Sequence, residues 1–230
     1  MNMLRRIVAL SSVHHADLRV RTEPDPEHLR GLHMAALMQS EMVRASALYP
    51  IVFLEDAGAD LFRPMALLGL REGENAFVDP QGHWRASYIP AVVRGHPFSL
   101  VGIGTDDRHA LCIDLDSPCV SRESGTPLFD QEGQPTPALE EARAYFARLR
   151  QMQLATDAYT RALVRLNLLS PFTLHAQRRG HPVELAGCFV VDAARLEGLS
   201  DGSLAGLRPG GWLAATYAHL ASLHQIERLE

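Results

Sequence analysis

Short apolar stretches broken by turn residues dominate the first half of this chain, and longer helical periodicities dominate the second. Arg5 to Leu10 is a short apolar segment, and Leu18 to Thr22 alternates apolar with Arg19 and Arg21, the pattern of a half-buried strand. Pro24 and Pro26 end it. Leu37, Met38, Met42, Ala45 and Leu48 recur near a 3.6 period, which predicts a helix over Leu32 to Leu48. Pro50 stops that helix, and Ile51 to Leu54 predicts a strand. Five more strands are predicted between Phe62 and Leu115: Met65 to Leu70, Asn75 to Val78, Trp84 to Ile89, Phe98 to Val101, and Ala110 to Leu115. Turns such as Asp79-Pro80-Gln81-Gly82 separate them, and such frequent reversals favour antiparallel pairing.

Thr136 is placed to cap a helix that has Pro137 at its first position and Glu140 and Glu141 near its positive end. Its apolar face runs from Leu139 through Phe146, Leu149 and Tyr159 to Leu166, with a break expected near Ala155-Thr156-Asp157. A hairpin follows, Phe172 to Gln177 and Val183 to Val191, turning at Arg179-Gly180-His181-Pro182. Helical pieces at Ala193 to Leu199, Ser203 to Leu207 and Trp212 to Arg228 finish the chain. No linker divides it. The expectation is one α+β unit spanning 1–230: an antiparallel, strand-rich N-terminal half, then a long helix, a hairpin and C-terminal helices. Leu185, Phe189 and Val191 are expected to face its core.

Apolar residues make up 47% and charged residues 21% of the 230, enough apolar surface for a folded core. The net charge is −5, and the 22 basic residues are all arginine, scattered rather than clustered, so nucleic acid is not an expected partner. Three cysteines without a C-x-x-C motif fit a reducing compartment rather than a disulfide framework. The apolar run after Arg5-Arg6 is too short for a secretory core of about 7–15 residues. No stretch approaches the roughly 20 apolar residues of a membrane span. A cytoplasmic protein is therefore expected.

Strong catalytic motifs are missing: there is no G-x-S-x-G, no H-E-x-x-H, and without lysine no Walker loop. Val101-Gly102-Ile103-Gly104 lacks the third glycine and following helix of a dinucleotide fingerprint. Neither a cofactor nor a metal is expected. The adjacent His14 and His15, and His219 and His224 five apart, do not share a face, so they read as surface or capping residues.

Two segments hold candidate chemistry. In Asp106 to Ser117, a strand would put Cys112, Asp114 and Asp116 on one face and Leu111, Ile113 and Leu115 on the other. Carboxylates about 7 Å apart on one face suit a cation or an arginine-bearing partner. The same pattern also describes a strand with one wet face, ending in a capped turn. Trp84, Tyr88 and Arg94 form an aromatic-basic segment of the kind favoured at protein interfaces, or simply a packed hairpin. On one sheet, Trp84, Tyr88, Arg94, Asp114 and Asp116 would make a single surface, with Arg94 pairing to Asp114 or Asp116.

Four stretches together resemble the SapC family of bacterial proteins: Tyr49 to Phe53; Ala66 to Asp79 running on through Gly82, Trp84 and Tyr88-Ile89-Pro90-Ala91 to Pro97-Phe98; Leu111 to Asp114 with Asp116-Ser117, then Pro127 to Asp130 and Gly133; and Gly187 to Asp192 with Gly211-Trp212-Leu213 and Tyr217 to Leu220. The family takes its name from a surface-layer secretion locus. The resemblance implies an accessory protein that binds a protein or peptide partner, linked to surface-protein export or envelope uptake. It brings no catalytic residues with it. The alternative is an enzyme or enzyme subunit acting on a peptide or cofactor, with Asp114 and Asp116 in its site.

Overall fold

The computed structural model describes residues 6–21, 25–56, 61–104, 108–178 and 181–229, with backbone alone at 177, 178 and 181. Arg5, Thr22, Pro24, Asp106, Asp107 and the hairpin tip at Arg179-Gly180 lie outside the described residues.

In chain order, β1 (Ile7–Ala9) and β2 (Arg19–Val20) precede α1 (Pro26–Gly31) and β3 (Met34–Ala36). A 3₁₀ turn, Gln39–Glu41, runs into α2 (Met42–Ala45), and then come β4 (Ile51–Asp56) and β5 (Leu61–Leu67). A long loop leads to α3 (Ala91–Arg94), β6 (Phe98–Gly102) and β7 (His109–Asp114). Two short strands, β8 (Val120–Ser121) and β9 (Thr126–Pro127), precede the long helix α4 (Pro137–Arg165). The hairpin β10 (Leu169–Arg178) and β11 (His181–Val191) leads to α5 (Ala193–Glu197), α6 (Asp201–Gly206) and α7 (Trp212–Ser222).

Among the described residues the strands form three antiparallel sheets, ordered β10-β11-β4-β5-β3, β1-β7-β6 and β8-β2-β9. The expected α+β architecture is thus the observed one. The largest core cluster lies where α4 and α7 cover the five-stranded sheet, with Phe53, Tyr159 and Leu163 fully enclosed. Val191 is buried as expected, while Leu185 and Phe189 are half-buried against the same core. Phe98 and Leu111 join the two smaller clusters beside β6 and β7.

Three local expectations are corrected. Met34–Ala36 is a strand, not the start of a helix, because pairing with Met65, Ala66 and Leu67 of β5 outweighs the helix propensity of Met and Ala. Neither Asn75 to Val78 nor Trp84 to Ile89 is a strand; a lone bridge joins Val78 to Trp84, and side chains help to hold the loop. The Asn75 amide donates to Leu29 O (2.8 Å) while its carbonyl accepts from Phe77 N (2.9 Å). The Asp79–Gly82 turn forms as expected, and Gly82 is required there: φ is +91°, and a Cβ would sit 2.1 Å from Pro26 Cβ.

Helix α4 is continuous over 29 residues, with no break at Thr156. The Thr156 hydroxyl donates to Met152 O within the helix (2.7 Å) and accepts from Gln39 N of the 3₁₀ turn (2.8 Å), so the polar residue stitches two elements together. Thr136 occupies the N-cap position, but its hydroxyl donates back to Pro127 O (2.8 Å) rather than accepting from the helix.

Candidate functional site

The five residues chosen from sequence fall into two places. Trp84 and Tyr88 converge on Tyr49, which follows α2 and is fully buried. Trp84 Nε1 donates to Tyr49 OH (3.0 Å) and to Tyr88 O (3.2 Å), and Tyr49 OH donates to Tyr88 O. Tyr88 OH donates to Glu41, whose carboxylate also accepts from Met38 N (2.8 Å) and Ala91 N (2.8 Å). One buried side chain thereby caps the start of both the 3₁₀ turn and α3. Burial pushes Tyr49 up to about 12; burial, then Glu41, does the same for Tyr88. Arg94 Nε donates to Ile89 O (3.1 Å), and its exposed guanidinium lies 5.7 Å from the Tyr88 ring centre and 6.0 Å from that of Tyr145. The aromatic-basic segment is thus a knot that fixes the loop before α3. Arg94 makes no ion pair with Asp114 or Asp116, because it is turned towards these rings.

Asp114 and Asp116 stand at the end of β7, where the chain leaves the sheet. Asp114 is only 3% exposed, which corrects the expectation of a wet strand face. Its Oδ1 accepts from Arg6 N (3.1 Å) and Asp116 N (3.1 Å), tying the N-terminal strand to the turn after β7. Asp116 is exposed. Both line a notch of about 100 Å³ with Asp25, Glu27, His28 and His96. The His28 and His96 rings stack at 3.8 Å between centres, 18° from parallel. Burial depresses both imidazoles, His96 to about 4 with help from His28, while Asp25 and Asp114 pull the other way. Neutral rings can stack closely where two imidazolium rings would repel.

The same two histidines border a second, larger groove of about 910 Å³. Its walls are Met34 and Ala36 of β3, Val92 and Val93 of α3, Phe98 and Leu100 of β6, and Phe146 and Leu149 of α4. Ser99 also lines it, with an Oγ that is buried and has no hydrogen-bond partner among the described residues. Trp84, Tyr88 and Arg94 line neither space. Sequence reading missed His28 and His96, which come from separate elements and share no spacing. It also misplaced His219, which is fully buried and accepts from Val191 N (3.0 Å) through Nε2.

Two sheet edges face this groove. In β6–β7, Asp114 N donates to Pro97 O (3.0 Å) and Ile103 N to Arg108 O (2.8 Å), so odd-numbered residues of β6 bond towards β7. The groups of Phe98, Leu100 and Gly102 then point the other way. Phe98 N is taken by Gly95 O (2.9 Å); no described residue pairs with Phe98 O or with the outward groups of Leu100 and Gly102. By the same alternation Met34 and Ala36 of β3 point away from β5. Among the described residues, no group of three or more His, Cys, Asp or Glu is placed to hold a metal ion. No helix among them is long and apolar enough to cross a membrane.

No curated protein and no solved structure matches the chain. The family that the four stretches resemble does: the SapC family model matches residues 10–229. With nearly its whole length covered, this chain belongs to the SapC family.

Proposed function

We propose that this chain is an accessory protein that binds a peptide or protein partner in the groove, in the setting the family name suggests, surface-protein export or envelope uptake. The groove carries this reading. Most of its wall residues are apolar, with polar and charged groups among them that include Ser99, Gln153, Arg63, Arg150 and Asp157, a mixture found in binding sites. It is open along two sheet edges. Asp114 and Asp116 keep a place beside it through the shared His28 and His96.

Ala186 is exposed on the groove wall, so Ala186→Arg narrows the groove without disturbing the core. Affinity capture from the native cell, followed by mass spectrometry, is expected to recover a partner with the parent chain and lose it with Ala186→Arg at an unchanged melting temperature. Equal recovery by both, or no partner above background, overturns the reading. The enzyme alternative has one observation on its side, the stacked His28 and His96 rings that line the notch with Asp114 and Asp116. Chemical conversion of the captured peptide by the purified chain, abolished in Asp116→Asn, would favour it; recovery of the peptide unchanged favours the binder.

A further inference from the structure

Sheet edges are liabilities, and proteins blunt them with charges, prolines, bulges or short length. β10, the long edge of the five-stranded sheet, carries Pro171 and a register shift between Phe172 and Leu174. β1 is only three residues long. β6 has none of these defences. Phe98-Ser99-Leu100-Val101-Gly102-Ile103 holds no charge and no proline, and its pairing with β7 is regular. Val101 (41% exposed) and Ile103 (49% exposed) leave apolar side chains at the same edge. An undefended edge flanked by an apolar groove has the properties of a strand-addition site.

Charge narrows the occupant. The notch adjoins the Phe98 end of β6, because His96 lines both spaces and Pro97 O binds Asp114 N. Among the described residues its lining holds four carboxylates, Asp25, Glu27, Asp114 and Asp116, and no arginine. A cationic side chain at that end of a bound strand would meet complementary charge; an acidic one would be repelled. Ser99 Oγ supplies a further polar group without a partner among the described residues.

We propose that β6 is a docking strand: an extended, largely apolar peptide of a partner protein pairs with its open edge, and a Lys or Arg of that peptide enters the notch. The inference rests on the groove reading above and specifies what the groove holds. Backbone bonds to Leu100 and Gly102 supply register, and the groove walls take alternate side chains of the incoming strand.

The test pans a displayed library of random linear peptides on the full chain. Enriched peptides are expected to alternate apolar and polar residues, with Lys or Arg towards one end. On binding, hydrogen exchange at the Leu100 and Gly102 amides slows. Gly102→Pro removes one outward donor while leaving the bonds to β7, and weakens binding about tenfold. Gly102→Ala keeps the donor and its Cβ meets nothing within 4 Å, so it retains more of the binding than Gly102→Pro and separates loss of the donor from loss of glycine. The Glu27→Gln, Asp116→Asn double variant loses the preference for Lys or Arg. Peptides that bind Gly102→Pro equally and leave both amides unprotected overturn the docking strand; if Ala186→Arg still abolishes them, the groove reading survives. Should Gly102→Pro not fold, the amide protection decides. Retained Lys or Arg preference in the double variant overturns the notch contact. No enriched peptide overturns both readings. A dimer that protects the two amides without peptide assigns the edge to a second copy and overturns the proposal.

Discussion

Trp84-Tyr88 and Asp114-Asp116 are both polar-aromatic or acidic clusters a few residues long, yet the fold uses them in opposite ways. The first closes inward on Tyr49 and Glu41, and all its polar groups are spent on the chain itself. The second divides: Asp114 turns in to hold Arg6 and the turn, while Asp116 stays exposed at the rim of an acidic notch. The difference lies in what surrounds each cluster. A knot of aromatic rings buries enough apolar area to hold a loop without a strand. The strand end carrying Asp114 and Asp116 meets two stacked histidines and two further carboxylates among the described residues of the notch, too little apolar area to enclose both of its side chains. Chemical type alone therefore does not separate a structural cluster from an exposed one; the number of unsatisfied groups left after folding does.

The sharpest break of the comparison is at Glu41. Glu41→Ala leaves Met38 N, Ala91 N and the Tyr88 hydroxyl buried without an acceptor, and should destabilise by about 3–5 kcal/mol. Denaturant titration checks this, and a loss under about 1 kcal/mol would show that the knot is not a structural centre. Acid tests the buried histidines next. His219 is depressed to about 4, chiefly by burial, with the Ile51 carbonyl acting weakly the other way. Its folded value lies below the unfolded 6.5, so the unfolded chain binds more protons. Its stabilising effect is complete above about pH 6.5 and fades as pH falls towards 4, by up to roughly 3 kcal/mol. His96 shifts in the same direction and adds to the slope. A pH series of unfolding curves should be flatter in His219→Gln than in the parent chain.

Within the acidic pair, Asp114→Ala should lose about 1–3 kcal/mol by orphaning two backbone donors, whereas Asp116→Ala should stay within about 0.5 kcal/mol. Equal losses would erase the distinction between the two carboxylates. The smallest effect is expected at Arg94, whose ring contacts are exposed: Arg94→Ala should change stability by about 0.5–1 kcal/mol and leave peptide binding in the groove unaltered.

Legibility in the sequence followed how local each cause was. Pro50 before Ile51-Val52-Phe53-Leu54 marked β4, and Thr136-Pro137 marked the start of α4, because proline acts on its own residue and its neighbour. Met34–Ala36 was misread because its strand pairing comes from β5, some thirty residues on. Asp114 and Asp116 were recognised as notable, but not which of them would be buried. His28 and His96 gave no signal, since a stack between α1 and the turn before β6 has no local spacing.

Composition and patterning by themselves determined an α+β chain with antiparallel strands and a long amphipathic helix, because periodicity and turn chemistry are written residue by residue, and four stretches in order carried the resemblance to the SapC family. Tertiary structure alone decided that the aromatic segment is internal, that one carboxylate of the acidic pair is buried, and that β6 faces an apolar groove with its edge open. Those outcomes depend on which groups remain without partners once distant segments meet, a property that belongs to the folded arrangement.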